Sequence, residues 1–355
     1  MKMKKLEYEL RFLTPAFLGN AEQSAQWRTP PIKALLRQWW RVVWAADHGF
    51  SNDSAAMRRE EGLLFGVASD GEGDSRKSAI RLRLDRWDEG ALKKGQWPSD
   101  DTVIHPEVKN RQGQAMPVGS ALYQGFGPLV YDRERRATTL KANAAIQASE
   151  SAGFALAAPE AEAPTLEKVL ALMHGFGTLG GRSRNGWGSL VLTAPGGDIN
   201  LPAADLPLRP WRDCLDRDWP HAIGRDDKGA LIWQTAPHPD WKALMKTLAV
   251  IKIGLRRQFV FTTGKGAPQP EDRHWLSYPV TNHSVQPWGG NARLPNSLRF
   301  KIRALPDGTL AGAIFHVPCL PPPAFRPDRT AIENVWQQVH GFLDAPQQQL
   351  TRSPA

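Results

Sequence analysis

The sequence predicts an α+β chain folded as two consecutive units, and three observations carry that expectation. The chain has 355 residues, more than a single core of roughly 100–200 residues requires. Segments with a two-residue apolar period alternate with segments of helical period. One strand-like pattern, Ile80, Leu82 and Leu84 set between Arg81, Arg83 and Asp85, returns as Leu298, Phe300 and Ile302 between Arg299, Lys301 and Arg303, which points to a duplicated fold.

Residues 2–14 place Leu6, Tyr8, Leu10 and Phe12 against Glu7, Glu9 and Arg11, the period of a half-buried strand. A loop over 15–29 follows. Pro30 and Pro31 then sit where the first turn of a helix tolerates proline, opening a helix over 32–46. Residues 51–74 hold a short helix ahead of Leu63-Leu64-Phe65-Gly66 and a turn rich in Gly, Asp and Ser. Residues 79–87 read as a second strand with one solvated face. From 90 to 145 the chain is irregular and rich in Gly, Pro, Arg and Lys, with a short strand at 129–131. An insertion of that length is usually mobile or functional. Residues 166–174 follow Thr165 as a cap and read as a helix; a glycine-rich stretch and a strand over 187–193 complete the half. This order fits a βαββαβ ferredoxin-like, RRM-like unit with insertions, one edge strand being left unplaced.

Residues 194–209, rich in Pro, Gly and Asp, make a linker. A second α+β unit follows, with strands at 231–235, 275–280, 297–305 and 312–317 and helices at 240–258 and 330–343. The expected organisation is 1–195 for the N-terminal domain with its glycine-rich loop, 196–345 for the C-terminal domain, and 346–355 for a flexible tail.

Forty-five Lys and Arg against 36 Asp and Glu give a net charge of +9 and a pI near 9.7, a balance that favours polyanionic partners. The most apolar stretches, 39–46 and 248–255, are broken by Arg41 and Lys252 and fall far short of the ~20 residues a membrane-spanning helix needs. Glu7, Glu9 and Arg11 stand where a secretory signal would be apolar, so the expected location is the cytoplasm. Cys214 and Cys319 cannot make a disulfide framework or a cysteine-based zinc site, and nine scattered histidines show no ligand spacing. No metal and no cofactor is expected. Tryptophan is enriched, with 14 copies; aromatic area beside excess arginine suits unpaired bases, although cores and subunit interfaces use it more often.

The richest segment is Gly175-Phe-Gly-Thr-Leu-Gly-Gly-Arg-Ser-Arg-Asn-Gly-Trp-Gly-Ser189. Gly175, Gly177 and Gly180 match the spacing of a dinucleotide fingerprint, but that fingerprint follows a strand and opens a helix. Here a helix precedes and a strand follows, so the nucleotide reading fails. What remains is a loop whose glycines permit close backbone approach and free N–H groups, with Arg182 and Arg184 in reach of phosphate. An isolated loop of this kind is more often a tight turn with solvated arginines. Thr263-Gly264-Lys265-Gly266 lacks the upstream glycine and the Ser/Thr of a P-loop and is a basic turn.

On the first helix Lys33, Arg37 and Arg41 recur at four-residue spacing opposite the apolar face of Ile32, Leu36, Trp39 and Val43. No carboxylate between Glu22 and Asp47 neutralises this ridge. Trp40 and Trp44 border it as either core or subunit contact.

Together, Leu13-Thr14-Pro15-Ala16-Phe17-Leu18-Gly19, the helix Pro30-Pro31-Ile32-Lys33-Ala34-Leu35-Leu36-Arg37-Gln38-Trp39-Trp40-Arg41, Leu64-Phe65-Gly66 and the glycine loop at 176–188 resemble the RAMP superfamily of CRISPR systems. Within it, the chain is most similar to the large two-domain head subunits of the type III-B (Cmr) effector complex. The resemblance covers residues 6–193 well and the second half mainly through 294–303. Asn20 and Asn185 depart from the glycine and the basic residue that relatives often carry there. The resemblance implies two tandem ferredoxin-like domains and a non-catalytic role in an antiviral ribonucleoprotein. It implies binding of the guide CRISPR RNA 3′ portion and target RNA, beside other RAMP subunits of the backbone and a second head subunit. Its binding residues carry over to Lys33, Arg37, Arg41, Gly180, Gly181, Arg182, Ser183, Arg184, Asn185 and Gly186. A different reading is a metal-independent endoribonuclease that processes guide RNA with His174 as general base, since some relatives use a histidine near this loop. Those enzymes keep the loop near the C-terminus, whereas about 165 residues follow it here.

Overall fold

A computed structural model describes residues 2–68, 75–199 and 201–353. The Gly/Asp/Ser-rich turn falls largely on residues 69–74, outside the described residues, as do residues 354 and 355 of the expected tail.

The first half is built from β1 (Met3–Phe12), α1 (Thr29–Asp47), α2 (Ser54–Phe65), β2 (Arg81–Leu84), β3 (Ser151–Pro159), α3 (Ala163–Phe176) and β4 (Leu190–Ala194). Its sheet runs Gly197–Asp198, β4, β1, β3, β2, with antiparallel pairing throughout. β3 is the strand the sequence left unplaced, and it is interior rather than at the edge. It pairs with β1 from Met3 to Arg11 and, through residues 154–157, with all four residues of β2. Its buried positions Ala152, Phe154, Leu156 and Ala158 alternate with Gly153, Ala155 and Ala157, so the two-residue period is present but carries little hydropathy contrast.

α1 starts with both prolines in its first turn, where a missing N–H costs no hydrogen bond. It packs beside α3, with the Trp39 and Phe176 rings 5.8 Å apart. Ten of the 14 tryptophans are buried, Trp40 and Trp44 among them. Trp40 meets Phe65 edge-on at 5.8 Å. Trp44 stacks on His48 and donates to Glu60 at 2.7 Å. Both belong to the domain core.

The insertion is not irregular throughout. It folds into small antiparallel pairs, Thr102–Lys109 with Ala115–Gly119 and Leu129–Asp132 with Ala137–Leu140, around a short helix Ser120–Gly125. The expected linker pairs at both ends, Gly197–Asp198 with β4 and Leu208–Pro210 with Ile223–Asp226.

The second half comprises β5 (Ile232–Gln234), α4 (Trp241–Arg257), β6 (Leu298–Ala304), β7 (Leu310–His316), α5 (Arg329–Asp344) and β8 (Thr351–Arg352). Their order is β6, β7, β5, β8, again antiparallel. The strand expected at 275–280 does not form. A single turn of 3-10 helix at Asp272–Trp275 leads into isolated bridges at Tyr278 and Val280, because Pro279 between them has no N–H for a ladder. The expected flexible tail is docked in its described part. β8 completes the sheet, and Arg352 pairs with Asp226 at 2.5 Å and Asp344 at 3.1 Å.

The apolar/cationic alternation of β6 has a different meaning from that of β2. Arg81 and Arg83 are exposed, whereas Arg299 and Lys301 are buried against the first half. Lys301 Nζ donates to the carbonyls of Met173 (3.1 Å), His174 (2.5 Å) and Leu190 (2.7 Å). Arg303 Nε donates to Gly175 O at 2.8 Å, its guanidinium 4.6 Å from the centre of the Phe176 ring. Carbonyls of the last turn of α3 and its negative dipole end are thus met by two cations from the other half. Burial pushes the Lys301 ammonium well below its ordinary value and Arg303 down to about 10.

Among the described residues no helix is long and apolar enough to cross a membrane. Lys301→Met removes a buried donor shared by three carbonyls, so thermal unfolding should show a loss of about 3 kcal/mol. Trp44→Ala should cost about 3–5 kcal/mol in the isolated chain; an unchanged melting temperature would remove Trp44 from the core.

Candidate nucleic-acid interface

The glycine loop leaves the C-terminus of α3 at Gly177 and is packed on three sides by its own chain. Gly180 and Gly188 have φ of 93° and 62°. A Cβ at Gly188 would lie 1.9 Å from Leu179 O, and one at Gly180 would lie 2.7 Å from Phe17 O; only glycine fits either place. Gly181 N donates to Phe17 O at 3.0 Å, Gly188 N to Pro15 O at 3.0 Å, and Gly186 N to Ser183 O at 3.1 Å. The glycines therefore admit the loop after β1, and their N–H groups are largely spent within the protein. This corrects the expectation of a loop with free amides. At the loop's tip the N–H groups of Arg182, Ser183 and Arg184 have no acceptor among the described residues.

The tip faces the second half. The free edge of β6 reaches it, Phe300 N donating to Arg184 O at 3.0 Å and Ile302 N to Ser189 Oγ at 2.8 Å. Ser189 Oγ and Thr14 Oγ1 in turn donate to Gly186 O at 2.9 and 2.8 Å. Asn185 points inward: its Nδ2 donates to Gln124 O and its Oδ1 accepts from Lys252 Nζ, both at 2.8 Å. Arg182 Nε donates to Phe126 O at 2.7 Å, leaving the outer guanidinium nitrogens uncommitted among the described residues.

Between this tip, the C-terminal turns of α4 and the segment 276–300 lies a groove of about 920 Å³. Arg182, Arg184, Lys252, Arg256 and Arg293 line it, with no carboxylate among its described lining residues. Burial, with the nearby charges of Arg256 and Arg182, lowers the Lys252 ammonium well below its ordinary value. Burial likewise lowers Arg184 and Arg256. Cations crowded this way, with no carboxylate among the described lining residues, favour an anion arriving from outside.

The sequence-derived residues separate here. Gly180, Arg182, Ser183, Arg184 and Asn185 line the groove; Gly181 and Gly186 shape the loop behind it. Lys33, Arg37 and Arg41 are not among the groove's lining residues. Arg37 and Arg41 both grip Glu61 of α2, whose side chain is only 3% exposed, at 2.9 and 2.5 Å. Burial acts to raise the Glu61 carboxyl, but the hydrogen bonds and charges of Arg41 and Arg37 outweigh it, and the net direction is downward. The ridge was read as un-neutralised because its carboxylate lies a helix away in sequence. Lys33 is half-buried and has no ion pair among the described residues. Lys252, Arg256 and Arg293 were missed as site residues. The available signal was Lys252 itself, a charge interrupting the apolar run 248–255.

His174 lies outside the groove. Its Nδ1 is held at 2.9 Å from Leu192 O and accepts from Leu192 N at 3.2 Å, and it borders a smaller cleft of about 350 Å³ with Arg11 and Arg303. Cys214 is buried and its thiol is pushed up to about 12, chiefly by that burial.

The sequence profile of the RAMP superfamily matches residues 9–191. No curated protein matches the chain. Among solved structures, the chain is similar to Cmr1 from Pyrococcus furiosus in its apo form, at 13% identity and a TM-score of 0.46 over 99% of this chain and 98% of that one. It is also similar to a chain of the type III-B Cmr-beta bound to cognate target RNA and AMPPnP in the presence of ssDNA, at 12% identity and a TM-score of 0.49, covering 96% and 100% of the two chains. The Cmr-beta bound to cognate target RNA matches at 11% identity and a TM-score of 0.48, covering 95% and 100%.

Loss of the Arg37 and Arg41 side chains leaves a buried carboxylate without partners, so Arg37→Ala with Arg41→Ala should destabilise the fold by about 3 kcal/mol. Arg182→Ala with Arg184→Ala, at exposed positions, should leave the denaturant midpoint nearly unchanged. Equal effects in the two double variants would mean that the ridge is not structurally committed.

Proposed function

Because the chain belongs to the RAMP superfamily, we propose that it is a non-catalytic RNA-binding subunit of a CRISPR type III-B (Cmr) effector ribonucleoprotein in antiviral defence. The observation that carries the reading is the groove with five cations and no described carboxylate, floored by the superfamily's glycine loop. Guanidinium groups and the free amides of the loop tip hold RNA phosphates, which fix the strand's register without reading its bases. Sequence choice is left to guide pairing. By the motifs at 13–41 and 176–188, the subunit is the head subunit. It holds the guide's 3′ portion and target RNA, next to backbone RAMP subunits and a second head subunit, in the cytoplasm.

The chain then consists of two tandem ferredoxin-like domains, the first over 1–195 and the second beginning at 196 and running through β8. The strand orders support this: numbered along the chain, both four-stranded cores run fourth, first, third, second. Within the site Arg182, Ser183, Arg184 and Lys252 act on phosphate, Gly180, Gly181 and Gly186 shape the loop, and Asn185 positions Lys252. The α1 cations Lys33, Arg37 and Arg41 extend the basic surface, with Arg37 and Arg41 weakened by their share in Glu61.

Each single-strand phosphate contact removed should lower the salt dependence of binding by about 0.7 in log–log slope. Arg182→Ala with Arg184→Ala should weaken binding to any RNA sequence and flatten that slope by about 1.4 in a fluorescence-anisotropy titration across salt. An unchanged slope would reduce the loop to a turn. Purified protein incubated with RNA, with or without magnesium, should return it intact; cleavage that disappears in His174→Ala would replace the binding role with the endoribonuclease reading.

A further inference from the structure

Among the groove's described lining residues one aromatic ring is exposed, and phosphate binding does not use it. Phe126, at its lip, is 64% exposed, although its backbone is fixed from every direction. The preceding Gln124 accepts from Asn185 through its carbonyl and donates to Met245 O at 2.9 Å. Gly125 fits closely against Leu129 and Trp187, where a Cβ would meet Leu129 Cδ1 at 2.7 Å. The Phe126 carbonyl takes the Arg182 Nε hydrogen bond, and Gly127 N donates to Leu129 O at 3.1 Å. A rigidly mounted, solvent-facing ring beside Arg182 is an apolar surface with no ring partner among the described residues.

Resting on the reading of the groove as an RNA-backbone site, we propose that Phe126 is a stacking platform for one unpaired RNA base, which makes the groove selective for single strands. The surroundings decide between a base and a protein side chain. The ring stands among cations that would hold the flanking phosphates, and a base offers a π-face together with that backbone charge, whereas an apolar protein anchor would leave the cations uncompensated. A base inside a duplex has both faces covered by its neighbours and cannot use the platform. The ring also supplies what composition had led one to seek among the tryptophans, most of which are core.

The test uses the full chain and three fluorescent probes of equal length: single-stranded RNA, an abasic ribose-phosphate strand and a blunt duplex. The ratio of affinities for base-bearing over abasic strand should fall at least about five-fold in Phe126→Ala, the low end of one base–aromatic stack. It should be retained in Phe126→Trp. Abasic and duplex affinities, the salt slope and the melting temperature should be unchanged in both variants. A ratio unaltered by Phe126→Ala overturns the platform while leaving the phosphate groove standing. If Arg182→Ala with Arg184→Ala fails to weaken any of the three probes, the groove reading itself fails. Loss of co-purification with partner subunits in Phe126→Ala, with the ratio intact, makes the ring a protein anchor and also overturns the platform.

Discussion

The structure hangs on a buried cation at a helix end. Lys301 crosses from the edge strand of the second sheet to the last carbonyls of α3 in the first half, and Arg303 takes the next one along. Burying an ammonium is costly, and two acceptors at the negative end of a helix with a third on β4, Leu190 O, are what offset that cost. Position follows from this contact. The glycine loop begins where α3 stops, so clamping the helix end to β6 also sets the loop against the β6 edge, where Arg184 O and Ser189 Oγ receive its N–H groups. The groove is the space left over on the far side of that seam.

Charge is sorted by whether a carboxylate accompanies it. In α1, Arg37 and Arg41 converge on Glu61, and around β8 Arg352 is held by Asp226 and Asp344. These cations stabilise the fold. In the groove, Arg182, Arg184, Lys252, Arg256 and Arg293 stand together, and among the described residues Lys252 meets the neutral oxygen of Asn185 and the face of Tyr123, 5.3 Å from its ring centre. A net charge of +9 says nothing about this partition, which depends on which cations the fold leaves without partners.

The strands with strong hydropathy contrast, β1, β2 and β6, and the helices α1, α4 and α5 were legible from periodicity. β3 was not, because alanine and glycine fill most of its positions and the alternation has no amplitude. β8 was not, because two residues carry no period and its place depends on Arg352 finding two aspartates distant in sequence. The glycine loop stood out through residue type alone, yet the part its glycines play in the fold was inverted. The glycines serve close contact with Pro15 and Phe17, and the amides at the tip, 182–184, are left without an acceptor among the described residues. The partner of Arg37 and Arg41 was invisible for a related reason: sequence gives spacing within a helix and nothing about what an adjacent helix brings to it.

The superfamily profile ends at residue 191, and this boundary falls inside the groove. Arg182 and Arg184 lie before it; Lys252, Arg256 and Arg293 lie after it, on α4 and the segment leading to β6. Neither half alone encloses the space. The insertion adds a third wall, since Gln124 ties its short helix to Met245 of α4 and to Asn185 of the loop, and Phe126 stands at the lip. The cation cluster is therefore a property of the seam rather than of the loop, and any change that lets the two halves separate, even one as remote as the α3 end, disperses it.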